Sequence, residues 1–217
     1  MRLKDKLPNF SFELELWNKG YEYVIGLDEV GRGAFAGPVV AAGVIFPKKC
    51  KVFDKRINDS KKLLPNLRTI LSEIIKNNTL CFSVQEISVS CINKDGIGKA
   101  TNKAFRKVVI HLQQQLKRKQ IAALIDGFHI KYIRGIPIAS QKAIIKGDSK
   151  SVSIAAASIL AKVYRDGLME QLDRKFPEYG FAKHKGYGTA NHQKAIFEFG
   201  LSKLHRRSFR LEKFLPK

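Results

Sequence analysis

Apolar residues along this chain fall into two periods. Short apolar runs at 23–28, 39–46 and 121–126 predict strands, and the near-continuous hydrophobicity of 39–46 implies burial on both faces, while 80–87 and 141–146 are further, more mixed strand candidates. Between them the spacing becomes helical. Leu67, Ile70, Leu71, Ile74 and Ile75 recur behind Pro65, which suits a first helical turn, and Asn77 and Asn78 end the stripe. Ile97, Ala100, Ala104, Val108 and Leu112 give one apolar face to a single long helix over 93–119, whose start Gly96 and Gly98 weaken. A further helix is predicted over 153–174; the small side chains of Ala155, Ala156 and Ala157 let it pack close to a sheet, and Ser151 or Ser153 can cap it. Shorter elements are predicted over 10–19, stopped at Gly20, and over 192–199 and 202–209. Strands alternating with helices predict an α/β domain, and no repeat, low-complexity tract or linker divides the chain.

Charge adds a partner class. Across 217 residues, 40 Lys and Arg against 19 Asp and Glu give a net charge of +21, which favours a polyanion because cations that neutralise phosphates release condensed counterions. Taken alone, the excess fits a non-catalytic basic nucleic-acid-binding protein as well as an enzyme, or a lysine-rich proteome. Lys99, Lys103, Arg106 and Lys107 read first as a solvated helix face. Cys50, Cys81 and Cys91 are too widely spaced for a zinc knuckle and odd in number for a disulfide framework. The N-terminal stretch, with Asp5, Pro8, Glu13 and Glu15, has no signal-peptide pattern, and the run 39–46 is too short to span a bilayer. The expectation is a cytoplasmic protein that does not enter a membrane.

The candidate chemistry lies where strands end. The first strand delivers Asp28 and Glu29 into the turn Gly31-Arg32-Gly33, placing hard oxygen ligands suited to Mg²⁺ or Mn²⁺ beside a backbone surface with little side-chain obstruction. Asp126 ends a later strand, and Asp148 precedes the helix over 153–174. Each has a plain alternative: an isolated Asp-Glu pair is commonly solvated, and Gly147-Asp148-Ser149 is a good helix-cap signature. Clustered carboxylates repel one another and need a cation to remain charged and close. His184, His192 and His205 lack the close helical pairing of a zinc site and read as structural or phosphate-proximal. His111 and His129 carry no functional signal.

The segments 24–38, 59–62, 122–127, 147–162, 184–189 and 205–209 together resemble bacterial ribonuclease HII, the type 2 ribonuclease H, and the likeness spans about 23–209. The resemblance implies a ribonuclease H-like fold, with a mixed central β-sheet flanked by helices and a C-terminal helical extension over about 180–217 of a single domain 1–217. It implies that Asp28, Glu29, Asp126 and Asp148 are catalytic ligands of a two-metal Mn²⁺ or Mg²⁺ site, with Asp28 shared, Glu29 and Asp126 completing one position and Asp148 helping the other. The implied reaction is endonucleolytic hydrolysis of the RNA strand of RNA–DNA hybrids, and of duplex DNA at embedded ribonucleotides, leaving 5′-phosphate and 3′-hydroxyl ends, as in ribonucleotide excision repair. By the same resemblance, backbone groups of Gly31, Arg32 and Gly33 touch the 2′-hydroxyl that separates RNA from DNA, and Tyr187 rests on the deoxyribose beside the cut. Without the resemblance, Gly186-Tyr187-Gly188 reads as a surface turn. Lys61, Lys62, Lys162, Arg165 and Lys185 flank these motifs as candidate phosphate contacts, and equally as ordinary surface cations.

Two departures stand out. Val30 and Ala34 occupy positions where the family's opening motif has Ala and Pro, which bears on turn rigidity and leaves the ligands intact. The related type 3 ribonuclease H carries an additional N-terminal domain, for which the stretch before Tyr23 leaves no room. The expected oligomeric state is a monomer.

Overall fold

The computed structural model describes residues 7–48, 50, 54, 56–116 and 120–216. Five strands form one mixed sheet: β1 (Tyr23–Val30), β2 (Val39–Ile45), β3 (Cys81–Ile87), β4 (Ile121–Asp126) and β5 (Gln141–Ile144), in the spatial order β3-β2-β1-β4-β5. β2 pairs antiparallel with β1 and β3, whereas β4 runs parallel to β1 and β5. The central strand β1 therefore has an antiparallel neighbour on one side and a parallel one on the other.

Helices cover both faces. α1 (Ser11–Asn18), α2 (Pro65–Asn78) and α5 (Val152–Lys175) share one face, while α3 (Val89–Asp95) and α4 (Ile97–Gln115) cover the other. Alternation along β1 divides the core between them. Ile25 and Leu27 join Ala104, Val108 and Leu112 of α4, whereas Val24 packs with Ile154 of α5. Gly26 explains how close α5 comes: a Cβ there would lie 2.2 Å from the backbone of Ser153. Beyond α5, the short α6 (Phe181–His184) and α7 (Ala190–Phe199) lead into single-turn elements over Arg207–Phe209 and Leu211–Phe214.

The one long helix expected over 93–119 is instead two. Gly96 ends α3 and begins α4 at φ 79°, ψ 157°, a conformation that glycine adopts without Cβ conflict. Its N–H donates to Ile92 to close α3, and its carbonyl accepts from Ala100 as the first bond of α4. The expected end of that helix at 117–119 lies outside the described residues. The expected apolar face is otherwise correct: Ala100, Ala104, Val108 and Leu112 are buried, and Lys99, Lys103 and Lys107 are exposed.

α5 starts beneath the sheet because its first amides have partners. Ser151 Oγ accepts from the Ile154 amide, and Glu13 of α1 accepts from both Ser151 Oγ at 2.6 Å and the Ser153 amide at 2.9 Å. A carboxylate at a helix N-terminus is favoured by the exposed amide dipoles. Glu13 is fully buried, and burial nonetheless raises its pKa against the opposing effect of those hydrogen bonds.

Candidate active site

Strand register brings the first two acid-bearing segments together. Leu27 of β1 pairs with Ile125 of β4, so Asp28 and Asp126, the next residues, leave adjacent parallel strands at one level. β5 then returns through a turn in which the Gly147 amide donates to Asp126 Oδ1 at 2.7 Å. Gly147 must be small there, since an added Cβ would sit 2.6 Å from Ile154 and 3.4 Å from that same carboxylate oxygen. Asp148 follows in the turn, buried at 7% exposure.

The four acids share an electrostatic environment. Burial, the Glu29 carboxylate, and then Asp126 and Asp148 raise the Asp28 pKa well above the ordinary value, while a hydrogen bond with Ser158 acts in the other direction. Glu29 is raised by burial and by Asp126 against the pull of Arg32 and Lys61. Asp148 is raised by burial, by Asp59 and by Asp126. Asp28, Glu29, Ser60, Lys61, Ser158, Lys162 and Tyr187 face one pocket of about 330 Å³.

This pocket has the character of a hard-cation site. One carboxylate oxygen of Glu29, Oε2, is buried without a hydrogen-bond partner, a costly state that a coordinated cation would relieve. The donors are carboxylates, the ligand type suited to Mg²⁺ and Mn²⁺. Among the described residues, no three His, Cys, Asp or Glu side chains are gathered closely enough to hold a metal ion by themselves. Asp28 Oδ1 instead accepts from the Glu29 amide at 2.7 Å, as Asp126 Oδ1 does from Gly147. These residues fit a divalent ion through charge and ligand chemistry.

Sequence reasoning singled out segment 59–62 for its lysines, but its serine and aspartate also shape the site. Ser60 Oγ lies 2.9 Å from Ser158 Oγ, and Ser158 is hydrogen-bonded to Asp28, which orients the deepest carboxylate. Asp59 is a fifth acid close enough to influence Asp148. Burial opposes protonation of Lys61, but Asp148, Asp59, Asp28 and Asp126 outweigh it and hold the ammonium pKa above the ordinary lysine value. Lys61 is thus the protein's own counter-ion to the acids.

The other cations have diverse surroundings. Lys162 faces the pocket and pairs with Asp166 at 2.7 Å. Lys62 faces a separate groove with Lys146 and Lys150. Lys185 pairs with Glu170 at 2.6 Å. Arg165 corrects the expectation of a phosphate contact: it is completely buried, and its guanidinium donates to the carbonyls of Pro38, Lys185 and Ala36 at 3.0, 2.8 and 3.1 Å. Those bonds occupy all three of its nitrogens.

The turn 31–33 divides into supported and open parts. Gly31 has φ +85°, and a Cβ there would lie 2.1 Å from Arg165 Nε, whereas Gly33 is exposed with nothing within 4 Å of an added Cβ. Arg32 lies 3.7 Å from Glu29 and over the Phe128 ring at 5.2 Å. Tyr187 faces the acid pocket with the Arg165 guanidinium 5.6 Å from its ring centroid. Sequence reasoning missed Arg206, which is fully buried and donates to Gly37 and Arg32 carbonyls at 2.9 Å each. The only signal available was its place in His205-Arg206-Arg207-Ser208-Phe209.

Known proteins share this arrangement over most of its length. A family model described as ribonuclease HII matches residues 25–212. Ribonuclease HII of Clostridioides difficile (strain 630) is 48% identical over 198 residues, covering 91% of this chain and 74% of that protein. Ribonuclease HII of Chlamydia caviae is 46% identical over 199 residues, covering 91% and 89%. Among solved structures, RNase HII in the complex with PCNA from Archaeoglobus fulgidus has a TM-score of 0.71 at 25% identity, covering 89% of this chain and 97% of that one. A mutant form of Bst-RNase HIII has the same fold, with a TM-score of 0.72 at 22% identity over 89% and 69% of the two chains. The chain belongs to the ribonuclease HII family.

Proposed function

We infer that the pocket around Asp28 is the catalytic centre of an endoribonuclease that hydrolyses the RNA strand of RNA–DNA hybrids and incises duplex DNA at embedded ribonucleotides. The observation that carries this reading is a buried carboxylate, Asp28, in the field of Glu29, Asp126 and Asp148, beside an unpartnered Glu29 oxygen. Membership of the ribonuclease HII family makes the chain an enzyme of this class. Divalent cations, Mg²⁺ or Mn²⁺, would supply Lewis-acid activation of water and neutralise charge developing on the leaving oxygen, as two-metal phosphodiester hydrolysis requires.

The chain's own residues account for the remaining tasks. Asp28, Glu29, Asp126 and Asp148 would hold the cations. Ser158, supported by Ser60, orients Asp28. Lys61 and Lys162 face the pocket as cations and bring a phosphate towards the acids. The open backbone at Gly33, with Gly31 and Arg32, reads the 2′-hydroxyl, and Tyr187 supports the adjacent sugar. Products carry 5′-phosphate and 3′-hydroxyl ends, and one monomer of the single catalytic domain suffices. No helix among the described residues is long and apolar enough to cross a membrane, and the +21 charge supports a nucleic-acid partner.

The test is cleavage mapping on a duplex containing one ribonucleotide, with Mg²⁺, with Mn²⁺ and with chelator, for the native chain and Asp126→Asn. A single metal-dependent incision at the ribonucleotide is expected, lost in the variant while duplex binding persists. Metal-independent cutting, or near-native turnover by Asp126→Asn, overturns the assignment. Binding without any cutting would identify a non-catalytic nucleic-acid binder.

A further inference from the structure

Arg165 and Arg206 are both fully buried, and among the described residues neither forms an ion pair with a carboxylate. Their partners are main-chain carbonyls. Arg165 reaches Ala36 and Pro38 at one end of the turn that begins at Gly31, and Lys185 beside Tyr187. Arg206 reaches Arg32 within the same turn and Gly37 at its end. The backbone joins the same three segments: Phe35 and Ala36 amides donate to Gly186, Gly37 donates to Leu204, and Arg206 donates to Phe35. Gly31 and Gly186 permit the close approach, since a Cβ would lie 2.1 Å from Arg165 Nε in the first case and 2.4 Å from the Ala36 carbonyl in the second.

Stability alone is a poor reason for this arrangement. Burial, reinforced by the Arg165 charge, pushes the Arg206 guanidinium down to about 9, and its Nη2 is buried without a partner. Buried charges that lack carboxylate partners cost free energy that well-packed apolar side chains would avoid. A guanidinium does offer a planar fork of five fixed donors, able to hold several carbonyls from different segments at one spacing. Lysine has a rotatable ammonium and lacks that fork.

We propose that Arg165 and Arg206 are positioning residues that fix the distance between the 31–33 turn and the Tyr187 ring, and so determine how sharply the enzyme selects a ribonucleotide–deoxyribonucleotide junction. The inference rests on the reading of that turn as the 2′-hydroxyl sensor and of Tyr187 as the sugar platform. One arginine ties each recognition element to α5, and the other ties the turn to the C-terminal segment. Neither guanidinium touches substrate. Small displacements of recognition groups carry large rate penalties because the reacting bond must be aligned with the catalytic groups.

The experiment compares the native full-length chain with Arg206→Lys, Arg206→Gln and Arg165→Lys. Each is assayed for kcat and KM on a duplex with one ribonucleotide and on a uniform RNA–DNA hybrid, with cut positions mapped and the folded fraction measured at the assay temperature. The expected result is a fall of about ten-fold or more in the ratio of junction to hybrid kcat/KM, expressed mainly in kcat, with cuts scattered around the junction. Retaining positive charge in the lysine variants should not rescue it. An unchanged ratio and cut position in folded Arg206→Lys and Arg165→Lys would overturn the proposal. So would equal losses on both substrates that track the unfolded fraction, because a purely structural role predicts that pattern. A native chain that cuts neither substrate defeats the underlying functional reading, an outcome distinct from failure of the variants alone.

Discussion

His192 and His205 meet through their Nε2 atoms, 3.1 Å apart in the buried C-terminal region, and the surrounding hydrogen bonds define one consistent placement of their protons. The Ser202 amide donates to His205 Nδ1 at 3.0 Å, so His205 carries its proton on Nε2 and donates to His192. His192 Nδ1 then donates to the Tyr187 carbonyl at 3.0 Å. His184 stacks on His192 with ring centroids 4.4 Å apart, and Tyr179 meets His205 at 4.9 Å. A neutral relay therefore links the tail to the backbone of Tyr187.

Acid should loosen that relay. Burial, and then their mutual repulsion when charged for His205, push the two pKa values down to about 4; for His192 burial is followed by the nearby His184 charge. In the unfolded chain they titrate near the ordinary histidine value of about 6.5. Between these values the unfolded state binds more protons, so this contribution is complete above about pH 6.5 and is lost as pH falls towards 4, on the order of 3 kcal/mol for either ring taken alone. The raised carboxylates of Asp28, Glu29 and Asp148 have the opposite sign, so the informative comparison is native chain against His205→Gln. The protection factor of the Tyr187 amide, its exchange rate relative to the intrinsic rate at the same pH, should fall on acidification in the native chain and respond less in the variant. Identical pH profiles would exclude the relay as the cause.

The acid cluster predicts a trade between stability and metal binding. Because the folded-state pKa of Asp28 is raised, its ionisation opposes folding as pH rises from the ordinary carboxylate value through the folded one. Asp28→Asn removes that penalty and should stabilise the metal-free protein by about 1 kcal/mol. Mg²⁺ or Mn²⁺ should raise the native melting temperature more at pH 8 than at pH 5, by preferential binding to the folded, ionised site. That increment should nearly vanish in Asp28→Asn. Thermal melts with and without metal at the two pH values measure both effects, and an undiminished metal shift in the variant would remove Asp28 from the ligand set.

Tyr187 lies where its ring can serve as a platform, facing Asp28 and Glu29 across one pocket. Tyr187→Phe keeps the aromatic face and should retain much of the activity. Tyr187→Ala should lose at least about ten-fold more, because an unsupported sugar is misplaced for attack. Both are to be assayed on a single-ribonucleotide duplex and on a uniform hybrid, with folding checked. Unchanged activity in the Ala variant rejects a recognition role, and equal severe losses in both variants transfer the role to the hydroxyl.

Strand-terminal chemistry was legible because it depends on local pattern. Apolar runs ending in Asp28 and Asp126, and a glycine turn before Asp148, place carboxylates together at one end of neighbouring interior strands once those runs pair. Arg165 was misread for the opposite reason. Its position beside a site motif suggests a phosphate contact, but the 31–38 turn and Lys185 enclose its guanidinium, and that closure depends on chain reversals far apart in sequence. The spacing of His184, His192 and His205 likewise shows no helical pairing, since α6, α7 and the tail each supply one ring. Gly96 and Gly98 signalled a weak helix start; only the backbone conformation at Gly96 reveals a complete break.

Gly31 and Gly33 offer a direct separation of support from recognition. At Gly31, φ is +85° and an added Cβ would lie 2.1 Å from Arg165 Nε, so Gly31→Ala must strain the backbone and displace a buried guanidinium. A destabilisation of roughly 1–3 kcal/mol is expected, together with lost activity. At Gly33 the same methyl meets no protein atom within 4 Å, and the backbone lies outside the left-handed region. Gly33→Ala should therefore leave the melting temperature nearly unchanged. If substrate backbone approaches the turn at this point, cleavage should nonetheless fall by about ten-fold or more, because the methyl occupies space that the nucleotide needs. Thermal melts and cleavage rates for the two variants test the contrast. Native cleavage by a folded Gly33→Ala protein would mean that the substrate does not pack against Gly33.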